Sequence, residues 1–207
     1  MKIIKKIGVS MRYMTNEKCY SILRSIPILG AVFRVANAYT YKGESECSIR
    51  IAPLRLWWKR IIFKLLIVIT LLSISLCFSS LSLTSNDWEP ADTILSVFPS
   101  ILGFGIGVYA LMFIMPSDFL VFLKKRHQEG KSKISPAIVP VDMGYPLVVF
   151  ILVLFVASIN KLFQFLIFFK FLSLFSLFYG LVMVIELMSF LFNSSVIIQI
   201  IRSNDEK

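Results

Sequence analysis

The stretch Tyr179-Gly-Leu-Val-Met-Val-Ile-Glu186-Leu-Met-Ser-Phe190 decides the fold. It lies inside an apolar run over 171–192. A bilayer core of about 30 Å is crossed by roughly 20 helical residues, so the run has the length of one crossing. A charged side chain in the middle of such a segment costs about 3 kcal/mol on insertion scales. Glu186 therefore calls for a partner helix, a water-filled cavity or a conduction path.

Working outward from this run, three more of similar length appear, over 61–83, 94–115 and 145–168. The chain is 57% hydrophobic and 16% charged. Soluble domains sit near 45–50% and about 25%, which sets this chain apart. The expected fold is all-α: a polytopic membrane protein with four transmembrane helices. Residues 1–60 form a basic, partly helical cytoplasmic region, 61–202 the transmembrane domain with a cytoplasmic loop at 116–144, and 203–207 a cytoplasmic tail. The first long apolar run begins at Ile61, too late for a signal peptide.

Charge sets the orientation. Residues 1–60 carry twelve Lys and Arg against three acids, and the 116–144 loop carries Lys124, Lys125, Arg126, Lys131 and Lys133. The loop over 83–93 has Asp87, Glu89 and Asp92 and no basic residue. This alternation places both termini in the cytoplasm, with a bacterial inner membrane as the expected location. Trp57-Trp58-Lys59-Arg60, Trp88 and Tyr145 stand at the membrane–water boundaries. Lys161 and Lys170 fall on the side where basic residues are disfavoured, and their long stems allow them to snorkel.

The expected partners are the bilayer and anionic lipid headgroups, with Lys124, Lys125 and Arg126 as membrane-surface or partner contacts. The net charge of +10 follows this topology, and direct nucleic-acid binding is not expected. Cys19, Cys47 and Cys77 show no paired spacing, so neither a disulfide nor a metal site is expected. With one histidine, His127, and no GxSxG, HExxH or P-loop pattern, the chain reads as non-enzymatic and cofactor-free.

Outside the spans, Ile3, Ile7, Met11 and Met14 recur at helical spacing. A second helix is expected over 25–39, capped by Ser25, with Ile26, Leu29, Phe33 and Ala36 on one face, lying at the membrane surface or under the bundle. A short helix fits 118–128. Pro136, Pro140, Gly144 and Pro146 mark 131–146 as an irregular loop.

Small and polar residues form stripes within the spans. Thr70, Ser73, Cys77 and Ser80 share one face of span one. Ser100, Gly103, Gly107 and Ala110 share one face of span two, and Gly103-Phe-Gly-Ile-Gly107 contains a GxxxG. Such residues let helix backbones approach closely, so a close helix contact is expected there, within the chain or between copies in a homo-oligomer. Span three places Ala157, Asn160 and Gln164 together, and span four groups Tyr179, Glu186 and Asn193 as an intramembrane polar site. Two readings stand for these stripes: packing faces of one bundle, or the lining of a polar path. Glu186 is expected to be neutral, bonded to a hydroxyl such as Ser73 or Ser80, or to meet a cation from solution, because no Lys or Arg is expected at its depth. Pro99 gives span two a place to bend.

The segment Pro99-Ser-Ile-Leu-Gly-Phe-Gly-Ile-Gly-Val-Tyr109, following an acidic outer loop, resembles a segment of uncharacterised small bacterial four-span membrane proteins. Some of these are encoded beside anti-phage defence systems. The resemblance implies a membrane effector or a membrane-anchoring subunit with a cytosolic protein partner, and carries over no catalytic residue. The leading expectation is an oligomeric effector that perturbs the membrane or forms a pore when triggered. The alternatives are a small channel or transporter using Glu186 as a cation or proton site, and a passive scaffold for a cytosolic partner.

Overall fold

A computed structural model describes residues 16–78, 88–114 and 137–205, together with Val121, Lys124 and Lys125. All regular structure among them is helical. Two short helices come first: α1 over 16–25 and α2 over Leu29–Thr40. Four helices long and apolar enough to cross a membrane follow. Helix α3 starts at Leu54–Trp57, passes through a π turn at Trp58–Ile62 and continues over Phe63–Phe78. The others are α4 (Pro90–Ile114), α5 (Ile138–Leu162) and α6 (Ile167–Asp205).

All four long helices begin earlier than the sequence expectation, and α6 runs on to Asp205, past the expected end at 192. Helices α3 and α5 each begin seven residues before the apolar runs at 61 and 145. The loop expected at 131–146 is helical from Ile138. Pro140 sits in its first turn, where a missing N–H breaks no intrahelical bond. Pro146 lies inside the helix and frees the carbonyl of Asp142. The connection between the last two spans is a tight turn at 163–166, not the 168–171 boundary read from the sequence. It consists of Phe163-Gln164-Phe165-Leu166, and Phe163 stacks on Phe169 with ring centroids 5.4 Å apart. Gln164 thus lies in the turn rather than on the face of Asn160.

The N-terminal helices also shift. Ser25 ends α1 instead of capping a helix over 25–39, and Ile26 and Leu29 are exposed. The inward face of α2 carries Val32, Phe33, Ala36 and Tyr39. The expected pattern of Ile3, Ile7, Met11 and Met14 lies outside the described residues.

The core is built by α4, α5 and α6, with Ile94, Phe98, Phe150, Val153, Ala157, Met183 and Leu187 buried. Phe98 meets Phe150 edge to face at 5.8 Å. Two glycines admit this packing. A Cβ on Gly180 would lie 2.5 Å from the Phe98 ring, and one on Gly105 would lie 2.6 Å from Leu147. Helix α3 packs chiefly on α6 and leaves an apolar groove of about 250 Å³ toward α5. Val32 and Ala36 of α2 line the groove together with Ile61 and Leu65 of α3.

Candidate functional site: a polar junction between the N-terminal helix and three spans

The junction starts from Asn37, which is fully buried on α2. Its Nδ2 donates to the carbonyls of Cys47 (2.9 Å) and Arg50 (2.8 Å), and its Oδ1 accepts from the Ala52 N–H (2.8 Å). One amide thereby fixes the 45–52 segment onto α2. This leaves Pro53 placed to start α3 beside Tyr39. A buried amide with its groups paired is stabilising, whereas an unpaired one would cost about 1–3 kcal/mol.

Tyr39 lies two residues further along α2 and is fully buried. Its ring stacks on Tyr145 of α5, with centroids 4.1 Å apart and planes 13° apart. On α3, the Arg60 guanidinium lies 4.6 Å from the centre of the same ring and Lys64 Nζ 5.0 Å from it. Both distances are within cation–π range. Arg60 and Lys64 are four residues apart on one side of a helix, and Arg60 lies in the π turn at Trp58–Ile62.

The hydroxyl of Tyr39 completes a three-way contact. Lys64 Nζ donates to it, and it donates to Glu186 Oε1 on α6. Lys64 Nζ also donates to Glu186 Oε2 in a direct ion pair. Burial first, and then the bond to the Glu186 carboxylate, push the Tyr39 phenol far above its ordinary value. It is therefore a donor at any physiological pH. Beside this set, Arg60 Nη1 donates to Asp142 Oδ1 of α5 at 2.6 Å. Tyr145 continues the network on its far side, its hydroxyl 2.8 Å from that of Tyr179 on α6. Two cations and two carboxylates balance, so the junction carries no formal excess charge.

Glu186 is thus neither bonded to a hydroxyl of span one nor without a basic neighbour. Ser73 Oγ donates instead to the Ile69 carbonyl at 2.8 Å, and Ser80 lies outside the described residues. The physical reason is helix length. Because α3 starts at Leu54, Lys64 lies ten residues into it, about 15 Å along its axis. Of the polar group expected on span four, Tyr179 and Glu186 join this network, while Asn193 is exposed and contributes no hydrogen bond to it.

The small-residue stripes of spans one and two point away from the core, whereas Ala157 and Asn160 of span three are buried. Thr70, Ser73 and Cys77 are exposed, and Thr70 Oγ1 bonds back to the Leu66 carbonyl at 2.8 Å. Ser100, Gly103, Gly107 and Ala110 are exposed as well. A Cβ on Gly103 or Gly107 would meet nothing within 4 Å among the described residues, so neither glycine makes a close helix contact with them. Within the four long helices, the described glycines that do are Gly105 and Gly180. Lys124 and Lys125 are exposed and helical, and Arg126 lies outside the described residues.

A second charged cluster occupies the opposite end of the bundle. Lys161 Nζ, near the end of α5, lies 3.0 Å from Glu89 and 2.7 Å from Asp92 at the start of α4. Lys161, one of the two basic residues that fitted the charge rule poorly, is held by Glu89 and Asp92 of the 83–93 loop.

The sequence reading missed Asn37, Tyr39, Arg60, Asp142 and Tyr145 as parts of one site. A usable signal was present: Arg60 and Lys64 at i, i+4 on an entering helix, and Asp142 three residues before Tyr145. Comparison with protein-family models, curated proteins and solved structures finds no match to this chain.

Proposed function

We propose that this chain is a non-enzymatic, multi-pass protein of a bacterial inner membrane, with both termini cytoplasmic, acting as an oligomeric effector. Its N-terminal region would receive a signal or a cytosolic protein partner and pass the change to the bundle. The observation that carries this reading is the contact of Tyr39 with three spans at once: Lys64 of α3, Tyr145 of α5 and Glu186 of α6. Displacing α2 would remove a hydroxyl and an aromatic face from the Lys64–Glu186 pair, and three helices would lose a shared support. A mostly polar junction suits exchange between two arrangements, because water or a partner's polar groups can replace its bonds.

The outward stripes of α3 and α4 support self-association. Exposed hydroxyls that bond only to their own helix, and glycines that meet nothing among the described residues, are suited to a second copy. Anti-phage defence remains the proposed setting on the resemblance at 99–109. The pairing of Glu186 with Lys64 and Tyr39 weighs against the channel or transporter alternative, since a carboxylate holding an internal ammonium has little capacity for a cation from solution.

The test is controlled expression with a membrane-potential dye. The effector reading expects Tyr39→Ala, which frees α2 from the bundle, to depolarise cells at lower expression than the wild type. No depolarisation by either protein at matched membrane levels would reject a pore and favour the scaffold. Replacing Gly103 and Gly107 by Leu is expected to abolish cross-linked oligomers without unfolding the monomer. Unchanged oligomers would remove the α4 face from the assembly.

A further inference from the structure

We propose that the turn between α1 and α2 is a binding site for the phosphate of an anionic phospholipid, held between Arg24 and Arg34. The inference rests on the membrane placement proposed above and not on the effector role.

The two arginines are ten residues apart in sequence, on different helices, yet line one cavity of about 270 Å³ with Ser25, Ile26, Pro27 and Ile28. Gly30 makes this proximity attainable. A Cβ there would lie 2.4 Å from the Arg24 carbonyl oxygen, so only glycine lets the end of α1 lie against the start of α2. Arg50 and Arg60 each hold a carboxylate, at 3.1 and 2.6 Å. Among the described residues neither Arg24 nor Arg34 forms such a pair. Two unpaired guanidiniums beside one cavity suit a group with several anionic oxygens, because each planar fork can donate two parallel bonds to a phosphate.

The rim identifies the source of that phosphate. Ile22, Ile28 and Leu29 are 66%, 81% and 65% exposed around the turn, and Ile26 is 39% exposed. An apolar tip carrying two cations matches the boundary between acyl chains and headgroups, where apolar side chains enter the lipid and arginines stay at phosphate depth. The same hairpin reaches the bundle where Phe33 stacks on Trp57 at the entry of α3, with centroids 6.3 Å apart. A soluble phosphate would gain nothing from the apolar rim, and an acidic protein would leave it in water.

The test uses the full-length protein purified in nonionic detergent. Native mass spectrometry would count retained phosphatidylglycerol against phosphatidylcholine at equal concentrations. Retention of phosphatidylglycerol is expected to be selective. Loss of each arginine should weaken it about fivefold, and so roughly 25-fold in Arg24→Gln/Arg34→Gln. Arg24→Lys/Arg34→Lys should keep part of the selectivity. Gly30→Ala should lose it with both charges present. If the double Gln variant does not fold, Arg34→Gln alone carries the fivefold expectation. Equal retention of the two lipids, or unchanged binding in the Gln variants, would overturn the site. Unchanged binding in Gly30→Ala would overturn it in favour of unspecific attraction. Displacement of the lipid by an equal concentration of inorganic phosphate would overturn the lipid source.

Discussion

The two charged clusters at opposite ends of the bundle use the same chemistry and differ in what they join. At one end, Lys161 bridges Glu89 and Asp92, two helices meet, and Asp92 keeps 63% of its side chain exposed. At the other, Lys64, Glu186, Arg60 and Asp142 converge on the buried ring of Tyr39, and four helices meet. An exposed ion pair contributes about 0–1 kcal/mol, since water competes for both ions. In a less hydrated junction each ion depends on its partner, and removing one leaves the other uncompensated. The difference teaches that the junction end sets the arrangement of the helices, while the Lys161 end closes a connection.

Single substitutions at Lys64 or Glu186 should break this contrast most strongly. Lys64→Ala or Glu186→Leu is expected to destabilise the protein by ~3 kcal/mol, read from thermal unfolding in detergent. Lys64→Met/Glu186→Met should recover most of that loss, because it removes both ions together. A double variant no better than the worse single one would mean the pair does not act as a unit.

Asp142→Asn is expected to cost about 2 kcal/mol, as it weakens a charge-assisted bond and leaves Arg60 with only the Tyr39 ring. A normal unfolding curve for Asp142→Asn would assign Arg60 to water instead.

Tyr39→Phe should cost about 1 kcal/mol, keeping the stack on Tyr145 and losing the hydroxyl. The same variant sharpens the comparison through pH. The folded phenol is raised by burial and by Glu186, whereas an unfolded tyrosine titrates near 10. Below that pH both states hold the proton and the contribution of Tyr39 is complete. Above it the unfolded state releases the proton and the folded state keeps it, so stability falls as pH rises. Unfolding of the wild type should therefore be steeper in pH above about 10 than that of Tyr39→Phe. Parallel curves would show that this hydroxyl is not buried.

The smallest effect is expected at the other end. Lys161→Ala should cost below about 1 kcal/mol, and that difference should shrink further in high salt. A loss as large as at Lys64 would make the two ends equivalent and remove the basis of the comparison.

Particular residues show how much of this was legible. Four spans followed from apolar run length, which is a local property. The starts of α3 and α5 did not, because reading an apolar run stops it at Arg60 and Asp142. Those two residues hold each other inside their helices across 82 positions of sequence. The same applies to the glycines. GxxxG spacing singled out Gly103 and Gly107, whereas Gly105 and Gly180 are the ones that Leu147 and Phe98 crowd. Spacing places residues on a face but does not say what that face meets.

The sequence by itself determined the helical class, the four segments long enough to cross a membrane and the presence of one carboxylate that needed a reason. Composition and run length suffice there, because the hydrocarbon thickness and the helix rise are fixed quantities. The tertiary structure alone decided what answered that carboxylate and which stripes turned outward. Ion pairs and aromatic stacks depend on which helices lie side by side, and a run of Leu, Ile and Phe leaves that choice open.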